Sequence, residues 1–391
     1  MASLPRAPRA ACVALLLIAL AACDDGGEIP VVERPDDVPF TLPEGFTAEV
    51  FAENLSLPTS VAFPPDGTER LFVNELQSGR ILIVEDGAVQ AEPFAQIATN
   101  TSGGFPVEGE NGLLGLAFDP DYARNGFVYV TYAARTDAGT FGTVARFTDR
   151  GGRGEDFTVL LDGIPCAPGH QIESLAFGPD GMLYVSVGDA YEDAAAQDPA
   201  SPLGKILRMR PDGAVPPDNP VPGSYTYALG FRNAFDLAFR PNGDLLTTDN
   251  GPERLDELNV VVPGGNFGWP LHLGEAPDAR FADPIHGWDQ IVSPAGMAFY
   301  DGGQFPEQYR GALFLVLFGR TFSEGPDPRG KRVQVVRLAG EGLQTTPTFE
   351  DFLVYDAPGR GNPLDVTAGP DGSLYLTDIF RGRVYRIRYT G

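Results

Sequence analysis

The chain repeats one hydrophobic phrase six times. An apolar triplet leads into a turn rich in aspartate, asparagine or glycine, and a second apolar run follows the turn. The triplets open at Val61-Ala62-Phe63, Leu116-Ala117-Phe118, Leu175-Ala176-Phe177, Leu237-Ala238-Phe239, Met297-Ala298-Phe299 and Val366-Thr367-Ala368. Successive openings lie 55 to 69 residues apart. Around them the pattern alternates, is rich in β-branched and aromatic residues, and breaks at Asp-Gly or Asn-Gly pairs of the hairpin type, as in Pro65-Asp66-Gly67. No long stretch carries a helical period. Repetition at this period means that each unit buries its apolar faces against its neighbours. The expected fold is therefore all-β, a six-bladed β-propeller spanning residues 41–391.

The same pattern predicts where polar chemistry gathers. The second runs are Leu71-Phe72-Val73, Val128-Tyr129-Val130, Leu183-Tyr184-Val185, Leu245-Leu246, Leu313-Phe314-Leu315 and Leu374-Tyr375-Leu376. In an antiparallel hairpin the start of the first strand and the end of the second share one end. With the first strand innermost, both positions crowd one mouth of a central channel. Ahead of the first strands stand Glu110, His170, Arg232-Asn233, Ser293 and Asn362. After the second strands stand Asp189, Asn250-Gly251-Pro252, Arg320 and Asp378.

His170 is the sharpest candidate among these. The chain has 3 histidines, and His272 and His286 fall in connecting segments. A histidine at a channel mouth, with an ordinary pKa of about 6.5, suits removal of a hydroxyl proton. A second distinctive stretch runs from Asn250 through Gly251-Pro252 and Asp256-Glu257 to Asn259. Its acids and Gly-Pro carbonyls are hard oxygen ligands of the kind calcium takes, although a tight turn with solvated acids has the same composition.

Composition narrows the partners. With 53 acidic against 28 basic residues the net charge is −25, and no basic stripe interrupts the excess, which argues against nucleic acid. Arg6 and Arg9 precede an apolar run from Ala10 to Ala22, which ends in Leu20-Ala21-Ala22-Cys23. That box resembles a bacterial lipoprotein cleavage site. Residues 1–22 are expected to be a signal peptide, with Cys23 acylated and residues 23–40 an acidic, proline-bearing tether. The expected location is the periplasmic side of the cell envelope, with membrane attachment through lipidated Cys23 only. Cys12 leaves with the signal, so Cys166 has no intramolecular disulfide partner, and no zinc or haem spacing is present.

Several segments together resemble the glucose/sorbosone dehydrogenases, soluble sugar dehydrogenases that use pyrroloquinoline quinone (PQQ) on a six-bladed propeller. They are Gly109-Glu-Asn-Gly-Leu-Leu-Gly-Leu-Ala-Phe118, His170 with Leu175-Ala-Phe-Gly-Pro-Asp-Gly181, and Leu203-Gly-Lys-Ile-Leu207. Gly230-Phe-Arg-Asn233, Gly251-Pro252 with Asp256-Glu-Leu-Asn259, Asn266-Phe-Gly-Trp-Pro270 and Ser293-Pro-Ala-Gly-Met-Ala-Phe299 follow in the family's order. The resemblance implies PQQ- and calcium-dependent oxidation of an aldose at the anomeric carbon, with an external electron acceptor. It implies His170 as the base and Arg232 with Asn233 against the cofactor and the developing charge. It further implies Gly251 and Pro252 as carbonyl ligands of calcium, and Asp256 and Glu257 as support for the metal loop.

The chain also departs from the family pattern. Asn362 and Leu364 stand where some members carry an Arg-x-Arg pair, leaving Arg360, Arg320, Lys331 and Arg332 as replacement cations, with Arg320 closest to a family lysine position. Glu110, a candidate cofactor contact, stands where some members have glutamine. His170-Gln-Ile-Glu173 replaces a His-x-Gly-Gly run. Two other functions compete with the dehydrogenase. One is a non-catalytic binding propeller that has lost the cofactor, which the missing arginines favour. The other is a metal-dependent propeller hydrolase such as a lactonase, which needs several side-chain acids and asparagines on the axis.

Overall fold

The repeated phrase becomes the two inner strands of each blade in the computed structural model, which describes residues 38–99, 109–320, 326–359 and 361–391. Six antiparallel sheets follow one another along the chain. Their first strands are Pro58–Ala62, Leu113–Phe118, Ile172–Phe177, Ala234–Phe239, Pro294–Phe299 and Pro363–Ala368. These strands neighbour one another in sequence order and the sixth returns to the first, so they form the wall of an axial channel. Apolar side chains fill the seams between blades, as where Phe72 of the first meets Phe118 of the second at 5.0 Å. The six-bladed β-propeller expected from the repeat is the observed fold.

The ring is closed by strand exchange between the chain's two ends. Phe46–Ala52 pairs antiparallel with Arg383–Tyr389 in the sixth blade, with Phe46 opposite Tyr389 and Val50 opposite Tyr385. A short strand, Phe40–Thr41, joins the outer edge of the fifth blade against Tyr355 and Val354. Val38 and Phe40 are buried there, so packed structure starts a few residues before the expected boundary at 41. The expected signal peptide of residues 1–22, Cys23 and most of the expected 23–40 tether lie outside the described residues.

All six inner strands share a register shift at the same phase. Pairing with the second strand skips between Pro58 and Val61, Leu113 and Leu116, Ile172 and Leu175, Ala234 and Leu237, Pro294 and Met297, and Pro363 and Val366. A bulge of this kind releases residues from the ladder and re-aims their side chains. The released pairs are Thr59-Ser60, Leu114-Gly115, Glu173-Ser174, Phe235-Asp236, Ala295-Gly296 and Leu364-Asp365, and they line the channel.

Second-strand hydroxyls absorb the backbone groups that the bulges expose. Thr131 accepts the N–H of Gly115, Ser186 that of Ser174, Thr248 that of Asp236 and Thr377 that of Asp365, at 2.8 to 3.2 Å. The same hydroxyls donate onward to the next blade: Thr131 to the carbonyl of Glu173, Thr248 to Ala295 and Thr377 to Thr59. In the first blade Asn74 does this work, donating to the carbonyls of Leu114 and Gly115 at 3.0 Å. Gly115 must be small, because a Cβ there would meet Thr131 Oγ1 at 2.7 Å and the Glu173 carbonyl at 2.8 Å.

Two buried acids give the fold a predictable pH response. Burial raises Asp236 to about 6, and raises Asp378 to about 6 despite bonds from Arg381, Asn362 and Tyr355. Such an acid takes up a proton on folding, so its contribution weakens as pH climbs from the unfolded value of about 4 through the folded value. Asp371, where burial is outweighed by bonds from Ser373 and Arg386, titrates below this window. In chelator, the thermal midpoint is expected to fall between about pH 4.5 and about pH 7, followed by circular dichroism. A midpoint that rises over that range would show that these acids ionise freely in the folded chain.

Candidate active site

At one mouth of the channel lies a cavity of about 300 Å3 whose walls come from all six blades. One side is apolar, built by Leu76, Leu114, Phe318, Leu364, Ile379 and Phe380. The facing side carries Glu110, His170, Glu173, Arg232, Asn233 and Asn250, with Gly251 and Asp256 behind.

His170 is set by a buried carboxylate. Its Nδ1 lies 2.7 Å from Asp189 Oδ1, and the other oxygen, Oδ2, accepts the indole N–H of Trp269 at 2.8 Å. Burial opposes the charge on Asp189. The bond and charge of His170, then the Tyr191 N–H and the Trp269 indole, outweigh it and hold the carboxyl below its ordinary range. An ionised carboxylate only accepts, so Nδ1 carries a proton, and in the neutral ring Nε2 is the nitrogen with the lone pair. The dyad thus presents one basic nitrogen and stabilises the imidazolium formed when that nitrogen takes a proton.

The backbone around this dyad is held in unusual conformations. His170, Ala190 and Tyr191 have φ of 56°, 50° and 62°, the left-handed region that non-glycine residues seldom adopt. Hydrogen bonds fix the geometry: the His170 N–H donates to Glu110 Oε2 at 3.1 Å, and the Ala190 N–H to the His170 carbonyl at 2.7 Å. Tyr191 is 57% exposed and packs edge-on against the His170 ring at 4.4 Å. Strained positions of this kind concentrate at binding and catalytic sites.

Arg232 and Asn233 are anchored from beneath. Both backbone N–H groups donate to Asp249, at 3.1 and 2.6 Å. Burial, then the charge of Glu257, raises Asp249 to about 8 although these bonds act against the shift. The Arg232 guanidinium donates to the carbonyls of Asn250 and Gly251 at 2.8 and 2.9 Å and lies 5.7 Å over the Trp269 ring. Asn233 Oδ1 and Asn250 Oδ1 are buried without a partner. Asp256 supports the loop, accepting N–H bonds from Gly251, Val292 and Ser293 at 2.7 to 2.8 Å.

A family model described as glucose/sorbosone dehydrogenase matches residues 55–386. The chain belongs to the glucose/sorbosone dehydrogenase family. It is 32% identical over 269 residues to quinoprotein glucose dehydrogenase B of Acinetobacter calcoaceticus, a match covering 61% of this chain and 55% of that protein's length. It is 27% identical over 374 residues to aldose sugar dehydrogenase YliI of Escherichia coli (strain K12), covering 89% of this chain and 94% of that one. The PQQ-bound aldose sugar dehydrogenase of Streptomyces coelicolor shares the fold with a TM-score of 0.69 at 28% identity, covering 89% of this chain and 99% of that chain.

Within this family member, Glu110, His170, Arg232, Asn233 and Gly251 meet at one cavity, as the repeat phase predicts, and Asp256 lines it with them. The other candidates lie apart from its lining. Glu257 is buried beneath the loop, accepting from the Gly274 N–H and Asn259 at 2.8 and 3.2 Å, and Pro252 is also outside the lining. Arg320 is exposed, with its backbone N–H on Asp327 at 2.9 Å, and Arg332 pairs with Asp351 at 2.6 Å. Arg360 lies outside the described residues. Among the described residues no three His, Cys, Asp or Glu side chains converge to hold a metal.

Three supporting residues carry no assigned role in the sequence reading: Asp189, Trp269 and Asp249. One signal for Asp249 is legible in the repeat. An acid ends the second strand in the first, fourth and sixth blades, where Glu75, Asp249 and Asp378 each accept a backbone N–H from just ahead of the first strand. Asp189 and Trp269 are 80 residues apart, and no spacing joins them.

Proposed function

We propose that this chain is a PQQ- and calcium-dependent aldose dehydrogenase that oxidises its sugar at the anomeric carbon. The observation that carries the reading is the His170–Asp189 dyad, which supplies one basic nitrogen at the cavity. The residues present fit the cofactor in kind. Apolar walls from Phe318, Phe380 and Leu114 suit a flat polycyclic body, and the Arg232 guanidinium suits its anionic edge. When bound, PQQ supplies a two-electron acceptor for the hydride of the anomeric C–H bond.

The chain's own residues do the rest. His170 Nε2 takes the proton of the anomeric hydroxyl, and Asp189 holds the imidazole in the tautomer that can do so. Arg232 places fixed positive charge where oxygen charge develops. The carbonyls of Gly251 and Pro252 are the groups offered to calcium, with Asp256 and Glu257 holding their loop. The signal peptide of residues 1–22 and lipidated Cys23 make this an exported, membrane-tethered enzyme in the same reading, and electrons leave to an external acceptor.

Dye-linked oxidation of an aldose panel, with PQQ and calcium added singly and together, tests the proposal. Turnover that requires both supports it. Absent turnover, with no PQQ-induced rise in melting temperature, favours the non-catalytic binding propeller, to which apolar Leu364 in the cavity wall also points. Asp189→Asn is expected to lower turnover by about tenfold or more while sparing the fold, because the amide can hold Nδ1 in the wrong tautomer. Unchanged turnover in that variant would reduce Asp189 to a packing role.

A further inference from the structure

Tyr191 stands where the fold gains little from it. Its φ of 62° lies in the left-handed region, which glycine adopts without steric cost and tyrosine does not. Its side chain is exposed, so little apolar area leaves the water in return. The neighbouring chain is nonetheless shaped around the ring. Gly169 must lack a side chain, because a Cβ there would meet the Tyr191 hydroxyl oxygen at 2.5 Å. The Tyr191 N–H donates to Asp189 Oδ1 at 2.9 Å, the oxygen that also holds His170 Nδ1, so the ring's position is tied to the base. A strained residue kept without burial answers a demand other than stability.

Leu271 repeats the pattern on the loop clasped to this one. At 67% exposed it is, with Tyr191, the most open of the large apolar side chains among the described residues. It stands two residues after Trp269, whose indole takes the other oxygen of Asp189, as Tyr191 stands two residues after Asp189 itself. Gln197 joins the two loops, donating to the Trp269 carbonyl at 2.7 Å. Both apolar side chains lie outside the cavity lining. They form an apolar rim beside the dyad, and exposed apolar surface next to a cavity marks binding rather than packing.

We propose that this rim is a subsite for the second sugar ring of a reducing oligosaccharide, with Tyr191 as its stacking platform. The direction of entry rests on the dehydrogenase reading. Oxidation at the anomeric carbon requires the reducing end to lie against His170, so any further ring points away from the cavity and toward solvent. The cavity of about 300 Å3 also has the cofactor to hold, which leaves little room inside for a second ring. The Tyr191 ring meets the imidazole edge-on at 4.4 Å and is the exposed member of the pair, so it stands on the outward side. A sugar ring carries C–H bonds on its faces and hydroxyls around its edge. An aromatic face covers the C–H side and leaves the hydroxyls in water. Glu192 and Asp193, both exposed beside the platform, offer carboxylate acceptors to those hydroxyls.

Steady-state kinetics of the full chain with PQQ and calcium, on glucose, maltotriose and cellotriose, test the subsite. One of the trisaccharides is expected to exceed glucose in kcat/KM by about fivefold or more, through a lower KM, as for binding made away from the reacting bond. Tyr191→Gly is expected to abolish that ratio and leave the thermal midpoint close to the parent's, because relief of the strained backbone offsets the freer unfolded chain. Tyr191→Phe, which keeps the ring, is expected to keep the ratio. A parent that treats the three sugars alike overturns the subsite. So does a ratio unchanged in Tyr191→Gly, and a lowered midpoint beside it would assign the ring to packing. A ratio lost in Tyr191→Phe overturns stacking in favour of the hydroxyl. Absent turnover on every sugar fails the dehydrogenase reading instead, and calorimetric titration of the same chain with the trisaccharides then judges the rim alone. Binding that Tyr191→Gly weakens by about fivefold or more upholds it, and absent or unchanged binding overturns it.

Discussion

His170→Ala is expected to lower PQQ-dependent sugar turnover by about a hundredfold or more, the loss typical of removing a general base. Among the described residues, the imidazole is the one group at the cavity that combines a basic nitrogen with a buried carboxylate behind it. Truncation should spare the fold, because the backbone bonds persist, to Glu110 through the N–H and from Ala190 through the carbonyl, and the buried Asp189 still accepts from the Tyr191 N–H and the Trp269 indole. Steady-state kinetics should therefore show the loss in kcat while the PQQ-induced melting shift persists. Turnover equal to the parent's would remove His170 from the chemistry, whatever its geometry.

Phe46→Ala is expected to destabilise the chain by about 3–5 kcal/mol, as for other large-to-small changes at well-packed aromatic sites. Phe46 begins the strand that closes the ring. Its ring sits 4.8 Å from Phe305, 5.0 Å from Phe352, 5.0 Å from Tyr389 and 5.3 Å from Tyr309. These partners come from the fifth and sixth blades, so one truncation leaves a cavity at the seam where the two chain ends meet. Phe157, 47% exposed on an outer strand of the second blade, supplies the control. Phe157→Ala should change stability by no more than about 0.5 kcal/mol. Chemical denaturation of both variants decides the matter, and a Phe46→Ala curve overlying the parent's would mean that closure does not depend on this packing.

The blades were legible because their signal is local. Each apolar triplet and its Asp-Gly turn lie within a few residues of one another, and six copies reinforce the reading. The mouth of the channel followed from strand polarity alone, which is why Glu110, His170, Arg232 and Asn233 were found together. What stayed hidden depends on distant pairings. Asp189 stands at a strand end like Asp378, and nothing nearby says that one of its oxygens binds His170 and the other Trp269. Arg320 follows a second strand as Asn250 does, but its segment is pinned outward through Asp327, a local bond that strand polarity cannot foresee. Phe40–Thr41 is too short to show alternation, so the packed chain starts earlier than its pattern suggests. The bulges are invisible for another reason. Thr59-Ser60, Leu114-Gly115 and Phe235-Asp236 share no chemistry; they share only a backbone offset.

That offset separates architecture from ligand choice. Outside the bulges, an inner-strand residue is tied to its second-strand partner, so changing it disturbs the sheet. The released pairs carry fewer such obligations, because side-chain hydroxyls from the adjoining strand take up several of their amide groups, although Gly115 and Gly296 must stay small and Asp236 and Asp365 accept amides of the next blade. The propeller therefore behaves as a frame in which several two-residue tiles facing its axis are exchangeable. Exchanging a tile, as Glu173-Ser174 for a glycine pair, would re-write what the channel holds while the strand registers stay as they are. In this way a dozen positions carry much of the choice of what the axis holds.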